Sequence, residues 1–384
     1  MKLSEVVKSI NKKTGAVRSD DTDLTKVTDW LSSGSYAINR ALTGDIYKGF
    51  PQGRISVIYG PSGSGKSLIL ANTICSAIKN NQVDVVYYVD TEGGGLWEYM
   101  DAQGVDRKKI MYLTAASVNE CKMHLTTVYD ELDQAAKDYA KDPDNNDKIR
   151  ALVVLDSFGM LGNDKTITDI TEKGKIVSDM GVSAKSKTEM MSILMMRVIR
   201  TNAALIIINH TYDDPNAMYP SAVKNMPGGK KLEYCSHVKL QTAMHLVKDG
   251  DTDHISGHEA EDSEKAKTKS KFKGNFFRMF CTKNRVAKPG FECTVYVDYE
   301  HGIQKWDGLV EPAEAYGFIQ PVRGGYIVPS WSDKKITTKE LITNDKIWET
   351  FIDKLNEASK KEIEYKASNP TAQMIEELEK TLEK

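Results

Sequence analysis

Cysteine is scarce and scattered in this sequence, which holds five cysteines among 384 residues. No two of them form a CxxC pair and their number is odd, so neither a disulfide framework nor a cysteine zinc site is indicated. We expect all of them to be reduced and structural. They are Cys75, Cys121, Cys235, Cys281 and Cys293.

Long apolar runs are also missing. No run approaches the roughly 18 residues that a membrane helix needs, and the N-terminal stretch "MKLSEVVKSINKK" is too polar for a signal peptide. We therefore expect a soluble, cytoplasmic, globular protein. The net charge of -2 does not by itself indicate nucleic-acid binding, but residues 264–290 are strongly basic and the tail "MIEELEKTLEK" is acidic.

Short apolar runs alternate with longer segments of helical spacing, which is typical of a parallel sheet covered by helices on both faces. After residue 230 the runs alternate between apolar and polar residues, which predicts antiparallel strands that extend the sheet. The apolar runs cover 54–59, 84–90, 151–156 and 203–209, and the alternating runs cover 237–244, 275–283 and 291–299.

Three units are predicted along the chain. Residues 1–29 form a leading segment with an amphipathic stretch, residues 30–305 form an α/β core, and residues 306–384 form a small C-terminal unit that carries helical periodicity and ends in the acidic tail. The connection 250–273 is expected to be an exposed hairpin loop.

The stretch "IYGPSGSGKSLIL" satisfies the GxxxxGK[ST] pattern between a predicted strand and a predicted helix. Glycine suits this place because backbone amides and the helix N-terminus can then wrap a polyphosphate. Lys66 would reach the β and γ phosphates of ATP, and Ser67 would complete the shell of a Mg²⁺ ion. The residues expected to contact the nucleotide here are Gly60, Pro61, Ser62, Gly63, Ser64, Gly65, Lys66, Ser67 and Leu68.

Two acids follow other predicted strands. Asp156 ends "ALVVLD", a Walker B pattern whose carboxylate would bind the metal, although an acid that merely ends a strand is also common. Glu92 lies just beyond "YYVD", where it would take a proton from the attacking water or would be an ordinary loop acid. Because the carboxyl ends of parallel strands meet at one edge, these residues and the P-loop predict one site.

At this point the sequence resembles the RecA family of recombination proteins, and within it the phage branch of UvsX type. The resemblance rests on "LSSGSYAINRALTGDIYKGFPQGRISVIYGPSGSGKS", "VDTEGGGLWEYMDAQGVD", "LVVLDSFGML", "IIINHTY", and "TKNR" followed by "YEHGI". These motifs keep the order of the family over about residues 30–320. The resemblance implies a RecA-type P-loop core with a mostly parallel sheet, extended by antiparallel strands.

The resemblance also assigns roles to single residues. It implies that Glu92 is the general base, that Tyr99 stacks on the adenine, and that His210 senses the γ-phosphate. Lys283 and Arg285 match paired cations that reach into the ATP site of the neighbouring subunit. From the residues alone, His210 would be a capping residue of a strand, and the two cations would belong to a solvated run of charge.

Two long polar stretches that contain glycine are predicted to be DNA-binding loops, at about 162–187 and 211–231. They resemble the two DNA loops of the family. Aromatic and methionine side chains would contact bases, glycine amides would hold a phosphate, and lysines would attract the backbone. The residues expected to contact DNA are Met180, Lys185, Tyr212, Lys224, Gly228, Gly229 and Lys230.

The sequence thus predicts a DNA-dependent ATPase that forms helical filaments on single-stranded DNA and exchanges strands with duplex DNA. Its expected partners are DNA, further copies of itself, a recombination mediator and a single-strand-binding protein. Three rivals are a hexameric helicase, a nucleotide-binding protein without strand exchange, and a small-molecule kinase. A helicase would usually carry a further N-terminal domain, and a kinase would need a substrate lid rather than two basic loops.

Overall fold

The structure, a computed structural model, describes residues 3–16, 26–162, 180–212, 224–245, 274–298 and 302–365. In chain order the strands are β1 (Trp30–Leu31), β2 (Phe50–Pro51), β3 (Ile55–Gly60), β4 (Val85–Asp90), β5 (Ile110–Thr114), β6 (Ala151–Asp156), β7 (Ala204–His210), β8 (Val238–His245), β9 (Gly274–Asn284), β10 (Glu292–Asp298), β11 (Gly302–Ile303), β12 (Gln320–Val322), β13 (Gly325–Val328) and β14 (Ser332–Ile336). The helices are α1 (Leu3–Thr14), α2 (Tyr36–Thr43), α3 (Lys66–Lys79), α4 (Trp97–Ala102), α5 (Val118–Lys141), α6 (Met180–Thr201), α7 (Lys230–Cys235), α8 (Val310–Ala315), α9 (Thr338–Thr343), α10 (Asp345–Glu349) and α11 (Ile352–Ile363).

The centre of the molecule is a sheet of nine described strands in the order β11-β10-β9-β8-β3-β7-β6-β4-β5. The six strands from β3 to β8 pair with one another in parallel. Strands β9, β10 and β11 continue the sheet antiparallel. The predicted α/β class and both sets of predicted strands are confirmed. The edge strand β5 was not predicted, because the side chains of "IMYLT" are mostly exposed rather than continuously buried.

Helices cover both faces of the sheet. Successive side chains of a strand point to opposite faces, so one strand contributes to two separate hydrophobic clusters. On β7, Ile206 and Ile208 pack in one hydrophobic cluster with α2 and α3. Leu205 and Ile207 pack in a second cluster with α5 and α6. Each central strand is therefore apolar along most of its length, as the sequence pattern predicted, although Ser56 in β3 and Asn209 in β7 are buried polar residues.

The C-terminal unit contains a three-stranded sheet, β12-β13-β14, together with α8 to α11. Its buried residues belong to the same cluster as the α2 and α3 face of the main sheet. Trp306 stacks on Trp348 with ring centroids 5.0 Å apart, and the Arg40 guanidinium donates to Glu362 at 3.0 Å. The unit is thus mixed α and β, and its core is continuous with that of the sheet.

The cysteines, the helices and the outer segments of the chain bear on the remaining expectations. All five cysteines are buried and none forms a disulfide, as predicted. No helix in the described ranges is long and apolar enough to cross a membrane. The predicted hairpin loop 250–273 lies outside the described residues, and so does the acidic tail. Helix α1 exposes Val7 and Ile10, at 45% and 50%.

Candidate nucleotide site and the predicted DNA loops

The carboxyl ends of four neighbouring strands lie level at one edge of the sheet. Gly60 at the end of β3 is in register with His210 at the end of β7. Asp90 at the end of β4 is in register with Asp156 at the end of β6. The residues that the sequence analysis selected at strand ends are thereby brought to one edge.

The P-loop joins β3 to α3, and two of its glycines, Gly60 and Gly65, are required by the packing of the chain itself. A Cβ on Gly60 would lie 2.4 Å from the carbonyl oxygen of Thr242, and a Cβ on Gly65 would lie 2.9 Å from the ring of Phe277. Gly65 also has a φ of 82°, which L side chains rarely adopt. A bare backbone at these positions leaves room for the adjacent strands β8 and β9 as well as for a ligand.

Lys66 is the first residue of α3 and is only 6% exposed. Its ammonium donates to the carbonyl oxygens of Gly60 at 3.0 Å and Pro61 at 2.7 Å. Burial lowers the pKa of Lys66, while the carboxylates of Glu92 and Asp156 act in the opposite direction. The cation therefore lies against the loop and within electrostatic reach of the predicted base, Glu92, and the predicted metal ligand, Asp156.

Asp156 is 5% exposed and accepts a hydrogen bond from the hydroxyl of Tyr88 at 2.7 Å. Burial raises the pKa of Asp156 to about 6, and the nearby Glu92 and Asp90 carboxylates also raise it. The hydrogen bond from Tyr88 lowers this pKa but does not offset burial. A carboxyl group in such a place is costly to ionise without a cation. Oxygen donors from Asp156 and Ser67 suit Mg²⁺, so the residues present fit the predicted metal.

Glu92 follows β4, and its Oε1 atom has two partners. The Ser157 hydroxyl donates to it, and the Nε2 atom of His210 lies 2.8 Å from it. Burial alone would raise the pKa of Glu92, but the hydrogen bonds from His210 and Ser157 and the nearby Lys66 charge lower it on balance. The carboxylate is therefore ionised and points towards the predicted sensor.

A cavity of about 560 Å³ lies above this edge. Its lining combines the P-loop and the polar residues Glu92, Asp156 and His210 with Tyr99 and several apolar side chains. Its lining residues are Ser62, Gly63, Ser64, Gly65, Lys66, Ser67, Leu68, Glu92, Leu96, Tyr99, Asp156, Ile208, His210, Met244, Asn275, Phe277, Val297 and Asp298. Of these, Leu96, Ile208, Met244, Asn275, Phe277, Val297 and Asp298 were not selected from the sequence. Most belong to strands β8 to β10, and no local motif marks them.

Tyr99, on α4, was expected to stack on adenine. Its hydroxyl donates to the side-chain oxygen of Asn72 at 3.1 Å. A Cβ on Gly302 would lie 2.6 Å from that hydroxyl, so β11 packs closely against it. Tyr99 thus lines the cavity with a fixed hydroxyl. Its predicted stacking role stays a prediction.

Lys283 and Arg285 do not line the cavity of their own chain. Both donate to the carboxyl end of α7: Lys283 to the carbonyl oxygens of Glu233 and Tyr234, and Arg285 to that of Tyr234 at 3.1 Å. Burial lowers the pKa of Lys283 to about 8, and the positive charges of Arg285 and Lys239 add to this. Cations at a helix C-terminus are favourable in themselves, and their action on a neighbouring subunit stays a prediction.

Only the ends of the first predicted DNA loop lie in the described residues, because 163–179 lie outside them. Helix α6 begins at Met180, so residues 180–187 of the stretch predicted as a loop are helical. Lys185 is exposed on this helix, as a DNA contact requires. The side chain of Met180 is outside the described part of the chain.

The second predicted loop is closed at its base by a backbone hydrogen bond from Tyr212 to Asn225 of 3.1 Å, and residues 213–223 lie outside the described ranges. Tyr212 is half exposed. The Lys224 amide donates to Gln241 at 2.9 Å, which anchors the outgoing strand of the loop. Lys230 is exposed at the first turn of α7.

Two adjacent glycines precede α7, and the structure distinguishes them. A Cβ on Gly228 would lie 2.2 Å from the ring of Phe158, whereas a Cβ on Gly229 would meet nothing within 4 Å. Gly228 is therefore required by packing, while Gly229 has open space before it. The prediction that both glycines hold a DNA phosphate is better suited to Gly229.

The segment that follows Asp156 contacts both the predicted base and the flanks of the predicted DNA loops. The hydroxyl of Ser157 donates to Glu92, and the fully buried ring of Phe158 faces Gly228. The ammonium of Lys187 on α6 donates to the carbonyl of Gly159 at 3.3 Å and lies 5.4 Å from the Phe158 ring centroid. One short segment thus contacts the predicted base, α6 at Lys187, and Gly228 just before α7.

A GxxxxGK[ST] loop between a buried strand and a helix, with acids at the ends of two neighbouring strands, defines an α/β protein of the P-loop class. Within that class the chain belongs to the RecA family, since the model of the RecA N-terminal domain matches residues 1–304. This confirms the resemblance found in the sequence.

Known relatives agree with this membership. The chain is 25% identical over 311 residues to the recombination and repair protein of Enterobacteria phage T4, covering 81% of this chain and 69% of that protein. It is 29% identical over 308 residues to Protein RecA of Streptococcus mutans, covering 80% and 69%, and 25% identical over 316 residues to Protein RecA of Staphylococcus aureus, covering 80% and 77%. Membership of this family supports a role in recombination and repair.

Proposed function

We propose that this protein is a DNA-dependent ATPase that assembles as a helical filament on single-stranded DNA and exchanges strands with homologous duplex DNA. The role would serve recombination, repair and recombination-dependent replication of a phage. The observation that carries this proposal is the 2.8 Å contact between His210 and Glu92 inside the cavity that also contains the P-loop.

The part of the cavity beside the P-loop would take the triphosphate of ATP. Loop amides and Lys66 would bind the phosphates, and the part around Tyr99 would take the base. The Lys66 ammonium already donates to neutral carbonyl oxygens of the loop. Charged phosphate oxygens would replace these acceptors and form stronger hydrogen bonds. Ser67 and Asp156 would hold Mg²⁺. The metal, when bound, neutralises charge on the phosphates.

Glu92 would act as the base that takes a proton from the attacking water. Ser157 holds this carboxylate, and the pKa of Glu92 is lowered, so it is ionised and ready to accept. His210 lines the same cavity, where a γ-phosphate oxygen would compete with Glu92 for its Nε2 atom. Transfer of His210 to the phosphate would free Glu92 for water and move the end of β7, from which the second predicted DNA loop starts.

Contacts beyond the site give this signal a path to DNA. Asn209 donates to the carbonyl of Pro227 at 2.9 Å, and its Oδ1 accepts from the His210 amide at 3.0 Å. Together with Phe158, which touches Gly228, these bonds connect the sensor strand to the start of α7. We infer that nucleotide binding and the arrangement of the DNA-contacting residues are coupled through the Asn209–Pro227 hydrogen bond and the Phe158–Gly228 contact.

Assembly would complete the site. Lys283 and Arg285, which face away from the cavity of their own chain, would supply positive charge to the ATP of an adjacent subunit. ATP would then hold neighbouring subunits in the arrangement that binds DNA, and hydrolysis would release them. Residues 1–29 would dock on a neighbouring subunit, and a mediator and a single-strand-binding protein are the expected accessory partners.

Hydrolysis of ATP with and without single-stranded DNA tests this proposal. We expect DNA to raise the rate, Lys66→Ala to abolish nucleotide binding, and electron microscopy with a non-hydrolysable ATP analogue to reveal filaments on single-stranded DNA. A hexameric helicase would instead form closed rings and unwind duplexes. Hydrolysis that is indifferent to DNA, with no filaments under either condition, would contradict the proposal.

A further inference from the structure

Asp90 is buried beside the proposed catalytic base, and the mechanism above does not use it. It is the last residue of β4 and is 3% exposed. Its Oδ1 atom accepts hydrogen bonds from the amides of Glu92 at 2.8 Å and Gly93 at 2.7 Å. An Asp that accepts from the backbone two and three residues later fixes a turn, so Asp90 sets the position of the Glu92 backbone.

The other oxygen of Asp90 has a partner on the next strand. The hydroxyl of Tyr112 donates to Oδ2 at 3.1 Å. Strands β4 and β5 are parallel, with Tyr112 opposite Tyr88 and Thr114 opposite Asp90, so Tyr112 and Asp90 share one face of the sheet. The Tyr112 hydroxyl thus supplies a hydrogen bond to Oδ2, the oxygen of Asp90 that does not accept from the turn amides.

Aromatic neighbours fix the ring that carries this hydroxyl. The Tyr112 ring centroid lies 5.4 Å from that of Trp97 and 6.4 Å from that of Tyr88. Tyr88 itself donates to Asp156. Two neighbouring tyrosines therefore each donate to an acid. Tyr88 donates to Asp156, the predicted metal ligand, and Tyr112 donates to Asp90, which fixes the turn before Glu92.

We propose that Tyr112 is a positioning residue for Glu92 and that it acts through Asp90. This inference rests on the proposed role of Glu92 as base. Tyr112 is neither a lining residue of the cavity nor part of the P-loop, so its contribution is expected in the geometry of the turn and not in nucleotide binding. A small displacement of a catalytic group slows chemistry out of proportion to its cost in stability.

Steady-state hydrolysis by the full chain with saturating single-stranded DNA tests this role. We expect Tyr112→Phe to lower kcat roughly three- to tenfold while KM for ATP changes by less than about twofold. Tyr112 is 48% exposed, so loss of the hydroxyl leaves the fold intact. Tyr87→Phe is the matched control, since Tyr87 lies on the other face of β4 and no hydrogen bond of its hydroxyl is found in the described residues. It should leave both constants unchanged.

A double-mutant cycle separates action through Asp90 from any other effect of Tyr112. In an Asp90→Ala background, Tyr112→Phe should lower kcat by less than about a further twofold, because its partner is already gone. An undiminished effect of Tyr112→Phe in that background would overturn the proposed route. A rise in KM with unchanged kcat would overturn the positioning role.

Glu92→Gln in the same assay distinguishes failure of this inference from failure of the proposed function. If Glu92→Gln abolishes hydrolysis and Tyr112→Phe leaves kcat unchanged, Tyr112 has no positioning role and the proposed base stands. If Glu92→Gln retains full hydrolysis, Glu92 is not the base, and the role assigned to Tyr112 fails with it.

Discussion

The two glycines before α7 offer a matched pair of substitutions, Gly228→Ala and Gly229→Ala. Both residues have positive φ, at 105° and 77°, so alanine is strained at either position by about 1–3 kcal/mol. Only at position 228 does the new methyl group also meet a ring, at 2.2 Å from Phe158, whereas nothing lies within 4 Å at position 229. The cost of backbone strain is therefore common to both variants, and only Gly228→Ala adds the cost of the contact with the Phe158 ring.

Overpacking of a buried contact costs about 1–3 kcal/mol. Gly228→Ala should therefore lower the free energy of unfolding by about that much more than Gly229→Ala, and urea denaturation followed by fluorescence measures the difference. Because Phe158 follows Ser157, which holds Glu92, displacement of the ring should also slow hydrolysis in the absence of DNA.

Gly229→Ala should give the opposite pattern in functional assays. Its methyl group would enter the open space where we expect a DNA phosphate, so DNA binding, measured by fluorescence anisotropy, should weaken while DNA-independent hydrolysis is kept. Equal destabilisation by the two alanines would refute the reasoning about Phe158. Unchanged DNA binding by Gly229→Ala would remove the phosphate contact from this turn.

Three further predictions concern the base, the metal and assembly. Glu92→Gln should leave filaments on DNA long-lived in ATP, as seen by electron microscopy over time, and filaments that dissociate at the usual rate would argue against Glu92 as the base. Burial raises the pKa of Asp156 to about 6, above the value of an exposed acid, so the acid binds its proton more readily in the fold and must lose it to bind Mg²⁺. The Mg²⁺ concentration for half-maximal hydrolysis should thus rise as pH falls through 6, and a pH-independent requirement would count against Asp156 as ligand. Deletion of residues 1–27 should weaken filament growth in sedimentation, whereas unchanged assembly would contradict the docking role of this segment.

The P-loop and the strand ends were predictable because they are local. A strand, a glycine-containing turn and a helix N-terminus lie next to one another in the chain, so their chemistry can be inferred from residues 58–70 alone. The same holds for Asp156 after "ALVVL", because burial on both faces makes a parallel strand continuously apolar. The α/β class, the order of the core and the family followed from such segments.

Other contacts depend on how distant segments meet. Strand β5 was not predicted because an edge strand has half its side chains in water, and Tyr112 gained its link to Asp90 only through the pairing of β4 with β5. Phe277 covers Gly65 because β9 is antiparallel to β8, more than two hundred residues from the P-loop. Lys187 is the last residue of the stretch predicted as the first DNA-binding loop, yet it lies on α6 and is buried against Phe158.

By itself the sequence determined which residues are candidates for phosphate and proton chemistry, because that chemistry demands particular groups at fixed spacing. Tertiary structure alone decided which groups hold them in place: Asp90 and Tyr112 behind Glu92, Tyr88 behind Asp156, and Phe158 between the two predicted DNA loops. These partners come from separate strands, and hydrogen bonding and close packing act through space, so no pattern of neighbouring residues reveals them.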